Sequence, residues 1–231
     1  MEILTSTTPA IAAGHALGAT VRDHADTPVL LMLSGGSALS LLAHVDVSAF
    51  DSRVTITTLD ERFSTDPLIN NFSQIEQTSF YKKAVARGVL TLSTKIGATD
   101  TLQGAGNRFE KQLRKWRDQN PEGIIIATMG IGADGHTAGI FPGEHGVDFN
   151  AEVWVVGYTV PKEVSQYTER ITVTNTFLRE QVHEVLVYAQ SDKEELLKSL
   201  AQPGCDPHHT PACIIKKVSK ATLYTDYSFR T

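Results

Sequence analysis

Residues 124–143 read IIIATMGIGADGHTAGIFPG, and this stretch indicates how the fold is built. Its first six residues are mostly β-branched and apolar, which is typical of a buried strand in a parallel sheet. Gly130 and Gly132 then allow the chain to turn sharply and to approach a ligand closely. His136 follows in the same loop. The sequence therefore predicts a strand that leads directly into a glycine-rich loop carrying one titratable ring.

Four other short apolar runs resemble the first, at residues 29–33, 54–59, 153–156 and 185–189. Segments with helical periodicity lie between these runs, most clearly at 101–118 and 191–200. Ser191 and Glu194 have the spacing of a capping box at the start of the second segment. Alternation of strands and helices predicts βαβ units, hence a mostly parallel sheet with helices on both faces. We expect one α/β domain over residues 1–231.

The charge of the chain argues against two classes of partner, nucleic acids and membrane surfaces. The 231 residues carry a net charge of −5, whereas nucleic-acid and membrane-surface binders usually present a basic face. The densest basic cluster has helical spacing and is predicted to be a solvated face; it comprises Lys111, Arg114, Lys115 and Arg117. The first ten residues lack the pattern of a signal peptide, and no apolar run approaches the roughly 18 residues of a membrane span. We expect a soluble cytoplasmic protein.

The two cysteines lie close together near the end of the chain. Cys205 and Cys213 are too few for a disulfide framework, but with His208 and His209 they form a compact set of potential zinc ligands. Three prolines interrupt the stretch, and its spacing matches no common zinc pattern. A plain loop is the favoured interpretation, and no metal or cofactor is predicted.

Ligands of open α/β sheets bind at the carboxyl ends of the strands, so the loops there are the candidates for chemistry. Ser34, Gly35, Gly36 and Ser37 follow the strand at 29–33. Consecutive glycines and a helix that starts at Ser37 can direct backbone N–H groups at a phosphate. A tight turn with Ser37 as an ordinary N-cap is the alternative.

A second loop candidate follows the strand at 54–59. Asp60, Glu61 and Arg62 stand directly after it. One of the two carboxylates can orient a neighbour, and Arg62 can hold an anion or a developing oxyanion. A surface salt bridge is the alternative. Asn71 can reach the same cleft or cap the next helix.

The loop of the opening stretch holds the third candidate, His136. Its glycine neighbours leave the ring open to a substrate, and histidine is the residue type that changes charge near neutral pH. Asp134, two residues earlier, can accept the ring N–H and fix the tautomer. We therefore expect a catalytic role for His136.

Five motifs occur in order along most of the chain. They are LSGGS at 33–37, LDERF at 59–63, NNF at 70–72, GIGADGHTAGIFPG at 130–143 and ERITVT at 169–174. Together they resemble the 6-phosphogluconolactonases, in the wider group that includes the glucosamine-6-phosphate deaminases. The resemblance implies a modified doubly wound fold and metal-free sugar-phosphate chemistry in the oxidative pentose phosphate pathway.

Two differences separate the enzyme types within that group. The deaminases read like DGHIAFNEPG, with a glutamate five residues after the histidine, and Phe141 occupies that position here. The DER triplet also resembles the lactonases. Lys162 resembles the phosphate-contacting lysine of the family, although its loop is longer here, and Arg170 is the alternative cation.

The resemblance implies hydrolysis of 6-phospho-D-glucono-1,5-lactone, and the residue types fit that reaction. His136 is expected to act as general base on water, with Asp134 and Asp60 as orienting groups and Arg62 beside the oxyanion. The phosphate is expected at residues 34–37, with Asn71 and Gly132 nearby and Lys162 or Arg170 as counter-charge. A deaminase or isomerase, and a sugar-phosphate-binding module without turnover, are the alternatives.

Overall fold

The computed structural model describes residues 1–229, which contain ten strands and six α-helices. The strands are β1 (Glu2–Thr5), β2 (Val29–Leu33), β3 (Val54–Thr58), β4 (Asp60–Arg62), β5 (Leu90–Thr91), β6 (Ile124–Gly130), β7 (Val155–Thr159), β8 (Glu169–Val173), β9 (Glu184–Tyr188) and β10 (Lys220–Thr225). The α-helices are α1 (Pro9–Asp23), α2 (Asn71–Gln77), α3 (Ser79–Ala86), α4 (Leu102–Gln119), α5 (Asn175–Gln181) and α6 (Glu194–Ala201).

A parallel sheet forms the centre of the described part of the chain. Its seven strands run in the order β1-β10-β9-β6-β2-β3-β5. Leu31 of β2 is aligned with Ile56 of β3 on one side and with Ile126 of β6 on the other. The strand order reverses beside β2, which makes the carboxyl ends of β2 and β6 the expected position of a ligand cleft.

Helices cover both faces of this sheet, which confirms the predicted fold class. Leu30 and Met32 of β2 pack in a core with α4, α5 and α6, whereas Leu31 and Leu33 pack in a second core with α1 and α3. All five residues of β2 are fully buried, so the strand carries apolar side chains on both faces. This explains why it reads as a continuous apolar run.

A small antiparallel sheet, with strand order β4-β8-β7, accompanies the parallel one. The prediction that residues 153–156 form a parallel strand is wrong, because the strand there is β7 and it pairs antiparallel with β8. This sheet packs on α4 through a close approach at Gly157. A Cβ at that position would lie 2.8 Å from the carbonyl oxygen of Leu102. An apolar β-branched run does not reveal the direction of its partner strand.

Two predicted helix starts are also corrected. The helix after β2 is a 3-10 helix, Gly36–His44, which begins one residue before Ser37. The segment predicted from Ser191 begins as a short 3-10 turn, and α6 starts at Glu194 without a capping side chain. The backbone N–H of Ser191 donates to Asp226 at 2.6 Å, so a carboxylate from a distant part of the chain binds there instead.

Candidate active site

The carboxyl ends of β6, β2 and β3 lie side by side, and a cleft of about 270 Å³ opens beside them. Its lining residues are Ser34, Gly35, Gly36, Ser37, Asp60, Arg62, Asn71, Gly130, Ile131, Gly132, His136, Ala138, Gly139, Arg170 and Lys193. The cleft therefore combines residues of the parallel sheet with residues of the small antiparallel sheet. All three segments that the sequence predicts as loops contribute to it, although the second, residues 60–62, forms strand β4.

The glycine loop after β2 is shaped by two different requirements. Gly36 has φ +64°, a left-handed conformation that suits glycine. Gly35 lies directly against the side chain of Asn71, and a Cβ at that position would overlap the Asn71 amide. Ser34 is buried, and its N–H donates to the Thr128 hydroxyl at 3.2 Å. The loop thus presents backbone and two serines to the cleft.

The His136 ring is held from its own loop. Asp134 Oδ1 lies 2.5 Å from His136 Nδ1 and 3.1 Å from the His136 backbone nitrogen. Burial raises the pKa of Asp134, but the hydrogen bonds from His136 outweigh it and hold that pKa below its ordinary value. The ring occupies the space that a side chain at Gly132 would need, because a Cβ there would overlap it. The predicted Asp134–His136 contact is therefore present.

Phe141 gives the histidine an aromatic neighbour that its glycine-rich surroundings did not indicate. The two ring centroids are 4.6 Å apart. Phe141 is buried in a small cluster with Tyr158 and Val160, which anchors the end of the loop. A phenyl ring at this position supports the imidazole but cannot exchange a proton with it.

A tight turn closes the loop between His136 and Phe141. Thr137 and Ile140 exchange two backbone hydrogen bonds of 2.8 and 3.2 Å, and the two residues between them are both left-handed, with φ +48° at Ala138 and +68° at Gly139. Positive φ at both central residues is the geometry of a type I′ turn. The Thr172 hydroxyl of β8 donates to the carbonyl of Ala138, so the small sheet fixes this turn.

Asp60 and Arg170 form a buried ion pair across β4 and β8. Each residue is 5% exposed, and Arg170 donates to Asp60 Oδ2. The Asn71 amide donates to the Asp60 carbonyl at 3.0 Å and to its Oδ2 at 3.3 Å. The N-cap of α2 is Asn70, which leaves the Asn71 side chain available to the cleft. Asp60 therefore organises two other groups of the site.

Arg62, on the same strand, is only partly buried. Its guanidinium donates to the carbonyl of Ile69 at 3.3 Å and stacks over the Tyr167 ring at 4.7 Å. Its Nε is enclosed and has no hydrogen-bond partner among the residues that the structure describes. The residue lines the cleft, and a fixed cation there suits a developing negative charge.

The model of the family described as "Glucosamine-6-phosphate isomerases/6-phosphogluconolactonase" matches residues 7–224. This chain belongs to that family. The family assignment agrees with the resemblance of its motifs, and each of the five motifs contributes at least one residue to the lining of the cleft.

Two curated members of the glucosamine-6-phosphate isomerase/6-phosphogluconolactonase family show partial similarity to the chain. The 6-phosphogluconolactonase of Chlamydia trachomatis is 28% identical over 156 residues, which are 66% of this chain and 55% of that relative. The 6-phosphogluconolactonase of Chlamydia muridarum is 28% identical over 155 residues, with the same two shares. The matches thus span about half the length of these relatives.

Solved structures agree in fold with the chain over nearly its whole length. A 6-phosphogluconolactonase from Shewanella baltica has a TM-score of 0.77 at 17% identity, covering 97% of this chain and 96% of its own. A 6-phosphogluconolactonase from Thermotoga maritima has a TM-score of 0.71 at 20% identity, covering 96% and 97%. At these identities the likeness establishes the fold that this family member shares with them.

The structure decides between the two cations that the sequence predicts for the phosphate in this family member, Lys162 and Arg170, and adds a third. Lys162 is exposed on the loop after β7. It is not one of the described residues that line the cleft. Lys193 lines the cleft and was missed from the sequence. It follows β9 by five residues, so the strand-end rule that identified the other loops could have found it. Arg170 also lines the cleft, although its charge is paired with Asp60.

The cysteines form a disulfide, Cys205–Cys213, rather than a zinc site or an unconstrained loop. The two sulfurs are bonded to each other in this structure, so they are not free to act as metal ligands there. The neighbouring Ala212 N–H donates to the carbonyl of Gly135 at 2.9 Å, so the disulfide loop supports the histidine loop from behind.

The basic cluster on α4 lies away from the cleft. Lys111, Arg114 and Lys115 are exposed, and Arg114 pairs with Glu110 at 2.7 Å and stacks over Trp154. The prediction of a solvated helix face is confirmed for these three residues. Across residues 1–229, every helix falls short of the length and apolarity that crossing a membrane requires.

Proposed function

We propose that this protein hydrolyses 6-phospho-D-glucono-1,5-lactone to 6-phosphogluconate, as a carboxylic ester hydrolase of the oxidative pentose phosphate pathway in the cytoplasm. The observation that carries the proposal is the His136 ring, bound by Asp134 at 2.5 Å, in one cleft with the glycine loop 34–37. The family and the names of the curated relatives support the substrate class.

His136 is assigned the role of general base. Asp134 accepts a hydrogen bond from Nδ1–H, which leaves Nε2 as the basic nitrogen of the neutral ring. That nitrogen takes a proton from water as the water oxygen bonds to the lactone carbonyl carbon. When the tetrahedral intermediate collapses, the bond from that carbon to the ring oxygen breaks, and His136 returns the proton to the departing oxygen.

Arg62 and backbone amides of the glycine loops are assigned to the oxyanion. Negative charge develops on the carbonyl oxygen only in the transition state, so donors fixed beforehand stabilise it without reorganisation. The guanidinium of Arg62 is fixed by Tyr167 and Ile69, and Arg62 lines the cleft, which supports such a role. Asp60 orients Arg170 and Asn71 rather than exchanging protons.

The phosphate of the substrate is assigned to residues 34–37 and Lys193. Consecutive glycines expose backbone N–H groups, and Ser34 and Ser37 add hydroxyl donors. Lys193 supplies a positive charge from the loop after β9, where it pairs with Asp192 at 3.0 Å. Arg170 adds a second cation that Asp60 keeps in place. Asn71 and Gly132 complete the wall between the phosphate and the reacting carbon.

Phe141 favours lactone hydrolysis over amino-sugar isomerisation. The isomerase reaction opens a ring and moves a proton between carbons, so it needs several groups with separated pKa values. The residue stacked on His136 is a phenyl ring, which cannot supply such a group. Hydrolysis needs one base and an oxyanion site, and both are assigned here.

A lactonase assay tests the proposal. The purified protein is given fresh 6-phosphoglucono-1,5-lactone, and formation of 6-phosphogluconate is measured above the spontaneous hydrolysis of the substrate. The same preparation is given glucosamine 6-phosphate, and ammonia is measured. We expect lactone hydrolysis and no ammonia. Hydrolysis no faster than in buffer would refute the proposal, and ammonia release at a comparable rate would assign the other chemistry of the family.

A further inference from the structure

A fully buried carboxylate lies immediately behind the cleft. Glu61, in the middle of β4, has 0% exposed surface. Its Oε1 accepts from the backbone N–H of Arg62 at 2.8 Å and of Asn71 at 2.5 Å. Its Oε2 accepts from the backbone N–H of Phe72 at 3.0 Å and from the Thr94 hydroxyl at 2.9 Å. All four donors are uncharged groups.

These donors belong to three separate parts of the chain. Arg62 is on β4, Asn71 and Phe72 begin α2, and Thr94 lies in the loop after β5. The carboxylate of Glu61 therefore joins one strand of the small sheet to the start of a helix and to an edge loop of the parallel sheet. Two of the donor residues, Arg62 and Asn71, themselves line the cleft.

Above about pH 7, where Glu61 is ionised, its carboxylate suits these four donors better than any neutral polar group of the same size. An ionised carboxyl accepts at both oxygens, whereas a glutamine amide has one accepting oxygen and one donating nitrogen. In glutamine the nitrogen would face two N–H groups or an N–H and a hydroxyl. At least one buried donor would then lose its partner, which costs more than the exchange of one solvated hydrogen bond.

We propose that Glu61 is a positioning residue, whose carboxylate sets the places of Arg62, Asn71 and Asp60 in the cleft without touching the substrate. The proposal rests on the proposed lactonase function. Asp60 and Arg62 flank Glu61 on β4, and Asn71 is held by both carboxylates, through its backbone N–H to Glu61 and its side chain to Asp60.

Loss of this carboxylate should affect kcat more than KM. Arg62 is assigned to the oxyanion, which exists only in the transition state, so its displacement lowers kcat. A misplacement of about 1 Å can cost on the order of a hundredfold in rate. The phosphate is assigned to residues 34–37, Lys193 and Arg170, none of which donates to Glu61 directly, so KM should change less than kcat.

Two matched pairs of variants test the inference. Glu61→Gln is compared with Glu184→Gln, which replaces another buried glutamate, on β9. The Glu184 carboxylate accepts from Lys220 at 2.9 Å and from the Thr20 hydroxyl at 3.3 Å. Thr94→Val, which removes one donor but keeps the shape, is compared with Thr94→Ser, which keeps the hydroxyl. We expect Glu61→Gln to lower kcat about tenfold to a hundredfold, Thr94→Val to lower it less, and both controls to keep the wild-type kcat.

Amide hydrogen exchange at Asn71 and Phe72 provides a readout independent of turnover. We expect faster exchange at both amides in Glu61→Gln and wild-type exchange in Glu184→Gln. Equal kcat in Glu61→Gln and wild type, or equal kcat loss in Glu61→Gln and Glu184→Gln, would overturn the inference. If the wild-type protein proves inactive on the lactone, the proposed function fails, and unchanged exchange at the two amides then separately decides against the role of Glu61.

Discussion

Glu61 also makes the stability of the protein depend on pH in a way that can be calculated. Burial raises the pKa of this carboxyl from an ordinary 4.5 to about 7, against the opposing effect of the hydrogen bonds from Phe72, Asn71, Thr94 and Arg62. As pH rises above 4.5, ionisation of this group lowers the free energy of the unfolded chain. The folded chain ionises the group only near pH 7, so it is not stabilised in the same way until then. The contribution of Glu61 to the free energy of unfolding therefore falls over this range and is constant above it.

The size of the effect follows from the two pKa values. One unit of difference corresponds to about 1.4 kcal/mol. Between pH 5 and pH 8, ionisation of Glu61 should therefore lower the free energy of unfolding of the wild-type protein by about 2 to 3 kcal/mol. Glutamine does not ionise, so the Glu61→Gln variant lacks this term and keeps every other pH-dependent contribution.

Urea unfolding followed by circular dichroism measures the effect. The free energy of unfolding of wild type minus that of Glu61→Gln is determined at several values between pH 5 and pH 8. We expect this difference to decrease by about 2 to 3 kcal/mol as the pH rises. The Thr94 hydroxyl lowers the pKa of Glu61, so Thr94→Val should raise that pKa and move the loss of stability to higher pH. Thr94→Ser keeps the hydroxyl and should leave the pH range of the loss unchanged. A difference that does not vary with pH would show that the donors, rather than burial, govern this carboxyl.

Three further outcomes test the candidate site. His136→Ala should lower kcat by at least about a hundredfold with an unchanged circular dichroism spectrum, and a variant that keeps most of its activity would remove His136 from the mechanism. Lys193→Ala should raise KM for the phosphorylated lactone and reduce the ratio of its kcat/KM to that of unphosphorylated gluconolactone. Lys162→Ala should change neither quantity, and steady-state kinetics of both variants on both lactones measures the difference. Phe141→Glu should release no ammonia from glucosamine 6-phosphate, because a glutamate alone does not supply the remaining groups of that reaction, and an ammonia assay beside the lactonase assay checks this.

The sequence predicts the parallel sheet well because its central strands are buried on both faces. The strand at residues 29–33 was predicted with its observed bounds, since all of its side chains are apolar and glycines follow it. The small antiparallel sheet was less predictable. Its central strand, β8, begins with Glu169 and Arg170, and the burial of Arg170 depends on a partner 110 residues earlier in the chain. The residues near Arg170 in the sequence do not predict such a pairing.

The same distinction applies to the cleft. Residues with a local signal, such as the glycines of 34–37 and His136, could be identified because their loops follow recognisable strands. Lys193 lies after a correctly predicted strand but was read as part of a helix start. The buried role of Glu61 had no local signal, because only the folded chain brings Asn71, Phe72 and Thr94 to its carboxylate. Stacking of Phe141 on His136 likewise depends on the turn at 138–139.

The pairing of β1 with β10 has a consequence for how the protein is made. Glu2–Thr5 lies at one edge of the parallel sheet, where its only strand neighbour within residues 1–229 is Lys220–Thr225. During synthesis the first strand therefore emerges from the ribosome more than two hundred residues before the strand that it needs. Its backbone donors and acceptors stay unpaired through most of translation, as an open edge that other extended chains can bind. We expect ribosome-bound chains that stop before β10 to be markedly more prone to aggregation than the completed protein.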